Sequence, residues 1–340
     1  MGLTPHPPEY SRKGIQRAFA FLRDHGDLAV HHFDAGVPWE EALQGTEFSD
    51  HLRADWQRRT RLVPATHKVY VAITPLDIAR DGMAPYWGRA DNLDLPEDWR
   101  GLALDDPRVK TAYLQYAQRI IQYFEPDYLA VGVEVNMLIA RAPELWPHYL
   151  ALHRYLYTQL KQQHPQLPIF ATIQYDWLRG LEEGSEASVA QQLAGVEQLL
   201  QVSDLVALST YKYGARHNPL SPDFFELAAR LGKPIVVSEA GALSRPLTLG
   251  TTTLDASEVG QAEYLAFLLR EARQRRFLFV VNFIGIDYDR LYQRIARRLP
   301  PQMRRLFSIW VSTGLETAKG RAKPALAVWD AYRQLTYVRE

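Results

Sequence analysis

Short apolar runs alternate with longer stretches of helical period along the whole chain. Leu28-Ala-Val-His-His-Phe33, Lys68-Val-Tyr-Val-Ala-Ile-Thr74, Tyr128-Leu-Ala-Val-Gly-Val133, Pro168-Ile-Phe-Ala-Thr-Ile173, Asp204-Leu-Val-Ala-Leu-Ser209, Ile235-Val-Val237 and Phe277-Leu-Phe-Val-Val-Asn-Phe283 each read as a strand. A run this short and nearly apolar throughout fits a parallel strand covered on both faces. Gly2-Leu-Thr-Pro5 reads as the tail of one more, making eight. Between them, apolar residues recur with helical spacing. Ser11 suits an N-cap before the stripe Ile15, Ala18, Phe19 and Leu22. Pro107 suits a first turn of a helix running to about Phe124. Helices are also expected over 146–163, 189–200, 222–231 with Gly232 as its stop, and 257–275, and a last one after Gly320-Arg-Ala-Lys-Pro-Ala325.

Strand and helix alternate without a break in composition or a low-complexity linker, which implies an α/β protein with a parallel sheet. Eight strands over 340 residues predict one (β/α)8 TIM barrel spanning 1–340 as a single domain. The rival is a doubly wound open sheet. It would usually carry a glycine-rich phosphate turn after its first strand, and the chain has neither G-x-G-x-x-G nor a P-loop.

Polar and aromatic residues gather just after the strands: His32 and Asp34, Glu134 and Asn136, Gln174 and Trp177, Tyr211 and Tyr213, Glu239, Asn282 and Asp287. In a (β/α)8 barrel that is the catalytic end. Two of these positions stand out. Glu134 ends the fourth apolar run and Glu239 ends the seventh, and a carboxylate leaving a core strand must be paired, hydrogen-bonded or facing a cavity. Two carboxylates aimed at one point are what glycoside hydrolysis requires, at a separation of about 5 to 5.5 Å if configuration is retained.

At these residues the chain resembles glycoside hydrolase clan A, the retaining (β/α)8 glycosidases, with the endo-β-1,4-galactanase and β-mannanase families nearest. Gly132-Val-Glu-Val-Asn136 is similar to the clan's Gly-Asn-Glu-x-Asn segment, Val-Val-Ser-Glu-Ala-Gly241 to its nucleophile strand, and Gly320-Arg-Ala-Lys-Pro-Ala325 to a stretch before the final helix. The spacing 239 − 134 = 105 residues suits three intervening βα units. The resemblance implies Glu134 as acid/base, Glu239 as nucleophile and Tyr211 or Tyr213 as the tyrosine touching the nucleophile. It departs in three places. Val133 stands where the clan has an Asn on the sugar 2-OH, Phe283 where a Trp is common, and His32 and Asp34 in the region of the clan's arginine.

Composition narrows the partners. Lys+Arg and Asp+Glu are both 39, so no global field draws the chain to nucleic acid or to acidic lipid. The absence of Cys excludes thiolate metal sites and a Cys nucleophile. No run of about 18 apolar residues predicts a membrane span. The start is not a signal peptide, so a secreted protein with a trimmed leader and a cytoplasmic one both fit. His31 and His32 point to opposite faces of one strand and make a poor shared metal site. The Arg-rich stretches 273–276 and 294–305 read as solvated helix faces rather than a nucleic-acid surface. The loop after the third strand, with Tyr86, Trp87 and Trp99, is long enough to be functional. Its rings, and Trp177, would stack on sugar; covering the loop is the plainer alternative.

The expectation is therefore a retaining glycosidase with no cofactor and no metal, acting on an oligo- or polysaccharide. Glu134 and Glu239 would do the chemistry. His32, Asp34, Trp87, Asn136, Trp177, Tyr211, Tyr213, Asn282 and Asp287 would hold substrate. A carbohydrate-binding pseudoenzyme on the same barrel is the alternative that Val133 suggests, and a barrel lyase is the more distant one.

Overall fold

The computed structural model describes residues 1–182, 184–185, 188–212, 220–299 and 301–335, apart from the side chains of 301 and 302. Its strands in chain order are β1 (Gly2–Leu3), β2 (Leu28–Phe33), β3 (Lys68–Ile73), β4 (Tyr128–Ala130), β5 (Ile169–Phe170), β6 (Thr172–Gln174), β7 (Val206–Lys212), β8 (Ile235–Ala242), β9 (Leu247–Leu249), β10 (Thr252–Leu254) and β11 (Val280–Asn282). The predicted fifth strand is two pieces, β5 and β6, divided at Ala171, so the seventh predicted strand is β8. The antiparallel hairpin β9–β10 is an addition that the sequence reading did not foresee. Its turn holds Gly250 at φ 64°, a conformation in which a β-carbon is costly.

The helices follow local signals. Ser11 Oγ accepts from Gly14 N at 2.9 Å and opens Arg12–His25. Asp106 caps Pro107–Phe124 through Arg108 N at 2.8 Å, with proline in the first turn where its missing N–H goes unnoticed. Trp146–Gln163 and Val189–Leu200 occupy the ranges their period predicts. Glu226–Arg230 is shorter than expected and ends before Gly232 at φ 72°. No described helix is long and apolar enough to cross a membrane.

The chain divides into two compact units. One comprises Met1–Val30, Val63–His67 and Thr210–Glu340; the other comprises His31–Leu62 and Lys68–Ser209. Strands β2 and β7 each run from one unit into the other. In the first unit the strand order is β2-β1-β11-β8-β7, and in the second it is β5-β4-β3-β2 together with β7-β6. The pairings β1–β2, β1–β11, β8–β11, β3–β4, β4–β5 and β6–β7 are all parallel. The second unit has an aromatic core in which Trp56 lies 5.3 Å from Phe124 and Trp39 lies 6.0 Å from Tyr113. The first unit packs Phe225 against Phe277 at 5.2 Å, and Tyr211, Phe283, Ile284, Tyr288 and Val311 into a further cluster.

Candidate active site

In the second unit, the segment leaving β4 wraps the break between β5 and β6. Val131 N bonds Phe170 O at 2.8 Å, Thr172 N bonds Gly132 O at 2.9 Å, and Val135 N bonds Thr172 O at 3.1 Å. A β-carbon on Gly132 would run into the Tyr149 hydroxyl, which is why this position is glycine. Glu134 follows with φ 51°, in the left-handed region, and its N–H is held by Thr172 Oγ1 at 2.8 Å. A non-glycine residue there costs about 1 to 3 kcal/mol and persists only where its surroundings over-determine it. Glu134 is half-buried while its neighbours Val133 and Val135 are fully buried.

Two arginines that the sequence reading passed over stand in this unit. Arg141 ends the short helix Met137–Arg141, lies within Coulombic reach of Glu134, and sits 4.9 Å from the Trp177 ring centroid. Trp177 is half-buried, and its main-chain N–H donates to Gln174 Oε1 at 2.7 Å. Arg80 is buried, has φ 58°, and approaches Asp34 at 3.5 Å. His32 Nδ1 lies 2.7 Å from Asp34 Oδ2. Burial alone would raise the Asp34 pKa, but the charges of His32 and Arg80 and their hydrogen bonds hold it well below the usual carboxylate range. His32, Asp34 and Arg80 thus form one charged cluster. Only position gave it away: Arg80 sits in an Ala-Arg-Asp-Gly turn, and Arg141 lies seven residues beyond Glu134.

In the first unit, Glu239 is the fifth residue of β8, whose eight residues are all buried. Its Oε2 accepts the Tyr211 hydroxyl at 2.7 Å, and both residues are 4% exposed. The ladder between β8 and β11 shifts register after Val237, and Phe283 N rejoins Ala240 O at 2.9 Å just past Glu239. The Tyr211 ring packs against Gly241, where an added β-carbon would lie 3.3 Å from it. Tyr213 lies outside the described residues.

Four residues expected to contact substrate have their rings or polar atoms engaged within the protein. Asn136 is fully buried; its amide donates to Gln174 O at 3.1 Å and to Gln192 Oε1 at 2.7 Å, and its oxygen accepts from Gln174 N at 2.8 Å. Both of its donors are thus committed to a strut beneath the β6 end. Trp87 is 1% exposed against Phe33, at 5.6 Å between centroids, and so covers the core. Trp99 is likewise buried, 5.4 Å from Trp39, and Tyr86 donates to Glu41 Oε1 at 2.6 Å. The long loop is stitched inward. Asn282 turns back to Ile284 O at 2.8 Å.

Asp287 is 2% exposed and binds Lys323 Nζ at 2.7 Å and Gly314 N at 3.0 Å. Lys323 also donates to Ser244 Oγ at 2.8 Å and to the carbonyl of Gly314 at 2.7 Å. Within the Gly320–Ala325 stretch, Lys323 is therefore an internal anchor. Burial pushes the Asp287 carboxyl up to about 6 against the pull of Lys323, and pushes the Lys323 ammonium below its ordinary value. Among the described residues, no group of three or more His, Asp or Glu is placed to hold a metal.

Strands and helices in this order define a (β/α)8 barrel, and solved structures share it. An exo-β-1,4-mannosidase from Opitutaceae bacterium strain TAV5 matches with a TM-score of 0.66 at 14% identity, over 98% of this chain and 58% of that one. A GH5_18 protein from Streptomyces cattleya, in complex with Manβ1-4GlcNAc, matches with 0.63 at 14% identity, over 96% and 76%. The GH53 catalytic domain of Ignisphaera aggregans matches with 0.57 at 15% identity, over 96% and 94%. No family model and no curated protein matches the chain. At these identities the likeness establishes the fold.

Proposed function

We propose that this chain is a retaining glycoside hydrolase that cleaves β-linked oligo- or polysaccharides, and that residues 1–340 are its single catalytic domain. Glu239 is the nucleophile and Glu134 the acid/base. The observation that carries this reading is the buried Tyr211–Glu239 hydrogen bond of 2.7 Å. It fixes the orientation of a carboxylate carried within the core strand β8, and in-line attack on an anomeric carbon needs such a fixed orientation. The strained backbone of Glu134 supports the reading too, because strain of this kind collects at functional positions. So does the Manβ1-4GlcNAc bound by one structural neighbour, a β-linked sugar.

The reaction follows from the two roles. Glu239 bonds to the anomeric carbon as the bond to the leaving oxygen breaks, and Glu134 delivers its proton to that oxygen. Water then attacks the same carbon, Glu134 takes the water's proton, and the bond to Glu239 breaks. His32, Asp34, Trp177 and Tyr211 stay assigned to holding substrate, joined by Arg80 and Arg141.

A second reading keeps the sugar and drops the chemistry. Val133 is 1% exposed, and the Asn136 amide is turned inward, so neither position supplies the amide that the clan uses on the 2-OH. A carbohydrate-binding pseudoenzyme fits that observation.

Activated aryl β-glycosides, tried as a panel with and without azide, test the proposal. Glu239→Ala should lose turnover and regain part of it with azide, giving an inverted product. Glu134→Ala should keep more activity on good leaving groups than on natural linkages, and azide should give a retained product. Wild-type rates in both variants would falsify the catalytic roles. No turnover by the native chain on any panel member, with sugar binding intact, selects the pseudoenzyme.

A further inference from the structure

The second unit carries a groove of about 860 Å³ lined by none of the candidate site residues. Its size is that of a small-molecule site. The helices Asp50–Leu62 and Pro107–Phe124 bound it. Its aromatic floor is Phe48, Trp56 and Tyr123, with the Trp56 ring 5.4 Å from Phe48 and 5.1 Å from Tyr123. Tyr123 is 43% exposed, one of few large apolar side chains left so open.

The charges lining the groove cancel. Glu47 and Asp50 face Arg53, which pairs with them at 3.4 and 2.5 Å. Arg119 holds its guanidinium carbon 4.4 Å from the Phe48 ring centroid and donates to Thr46 O at 2.6 Å. Two acids and two arginines leave no net field to select an anion or a cation. Gln57 and Gln122 are exposed at the groove, and neither side chain makes a hydrogen bond among the described residues. Each offers a planar carboxamide with two donors and an acceptor. An open aromatic face beside free carboxamides, with no net charge, is the chemistry that recognises a polyhydroxylated ring.

The groove stands apart from the candidate acid. Tyr123 precedes β4, and Glu134 follows it. None of the groove's lining residues is among the candidate site residues.

We propose that this groove is a non-catalytic binding site for a neutral carbohydrate chain. Tyr123 is the stacking face, and Gln57 and Gln122 are the hydroxyl partners. The inference goes beyond the glycosidase reading, since sugar is held here rather than cleaved.

Native gels containing glucomannan, β-1,4-galactan or xyloglucan provide the test, run with the full chain and with Tyr123→Ala and the double variant Gln57→Ala/Gln122→Ala. Circular dichroism checks that each variant is folded. At least one polysaccharide should retard the native chain, and both variants should weaken that retardation about fivefold or more, a loss near 1 kcal/mol. Hydrolysis of aryl glycosides should be unchanged. Migration unaffected by all three polysaccharides, or equal retardation of variants and native chain, overturns the site. The azide experiment reads Glu134 and Glu239 independently, so either proposal can fail while the other stands.

Discussion

Tyr211 and Glu239 are 28 positions apart and meet through a 2.7 Å hydrogen bond in which the phenol donates and the carboxylate accepts. Both are buried, so water does not compete for the contact. A hydrogen bond to a charged group contributes about 1.5 to 3 kcal/mol. Tyr211→Phe keeps the ring on Gly241 and removes only the hydroxyl. It should lower kcat on an activated glycoside about 10- to 100-fold. Unchanged kinetics in a correctly folded Tyr211→Phe would detach this tyrosine from the chemistry.

The Asp287–Lys323 pair predicts a pH-dependent defect. Removing one member of a buried pair leaves an uncompensated charge and costs about 3 to 5 kcal/mol. Lys323→Met should therefore be strongly destabilised at neutral pH. The Asp287 carboxyl is already pushed up to about 6 with its partner present. A raised acid favours the folded state below its unfolded pKa and loses that advantage as pH rises through the folded value. In Lys323→Met, protonation of Asp287 below this range should return part of the lost stability. Urea unfolding at pH 5 and pH 7.5 gives the comparison, and an equal deficit at both would contradict it.

Two buried histidines should govern the acid limb of stability. Burial lowers His153 to about 4, although the Val202 carbonyl at 2.9 Å pulls the other way, and lowers His31 to about 3. Both stay neutral when folded and take up a proton more readily when unfolded, at about 6.5. Stability present above that value should fall as pH drops towards 4, by an amount on the order of 3 kcal/mol per histidine. His31 is the cleaner probe, because among the described residues neither ring nitrogen has a hydrogen-bond partner, and the ring lies 5.2 Å from Phe124. His31→Leu should raise the stability measured at pH 7 and flatten its decline in acid. A decline as steep as that of the native chain would mean that other groups set the limb.

What the sequence revealed, and what it hid, divides by the range of the interaction. The Pro107–Phe124 helix depends on neighbours a few positions away, and β3 and β4 show in their own apolar runs, so Pro107 and periodicity found the helix and both strands. The prominence of Glu134 and Glu239 was legible for the same reason, as an acid interrupting an apolar run. Whether a polar residue beyond a strand faces substrate or the interior was not legible. Asn136 is satisfied by Gln174 and Gln192, and Asp287 by Lys323, partners dozens of positions away. Trp87 looked like a platform because nothing local shows that Phe33 and Val37 draw its segment inward. The break at Ala171 escaped notice because the apolar run continues through it.

The backbone of Glu134 predicts a trade between stability and activity at one position. At φ 51° a side chain crowds its own carbonyl, and glycine does not. Glycine also adds freedom to the unfolded chain, which offsets part of the relief. Glu134→Gly should still be more stable than Glu134→Ala by on the order of 1 kcal/mol. Both variants remove the same carboxylate, so both should lose hydrolysis of natural linkages alike, and any gap between them in urea unfolding reports the backbone. The Thr172 Oγ1 contact uses the main-chain N–H and survives in each. If alanine proves equal to glycine, the left-handed turn is not a source of strain, and its bearing on the role of Glu134 is lost. If glycine is the more stable while the native residue alone turns over substrate, the fold holds this glutamate in a conformation that stability by itself would not select.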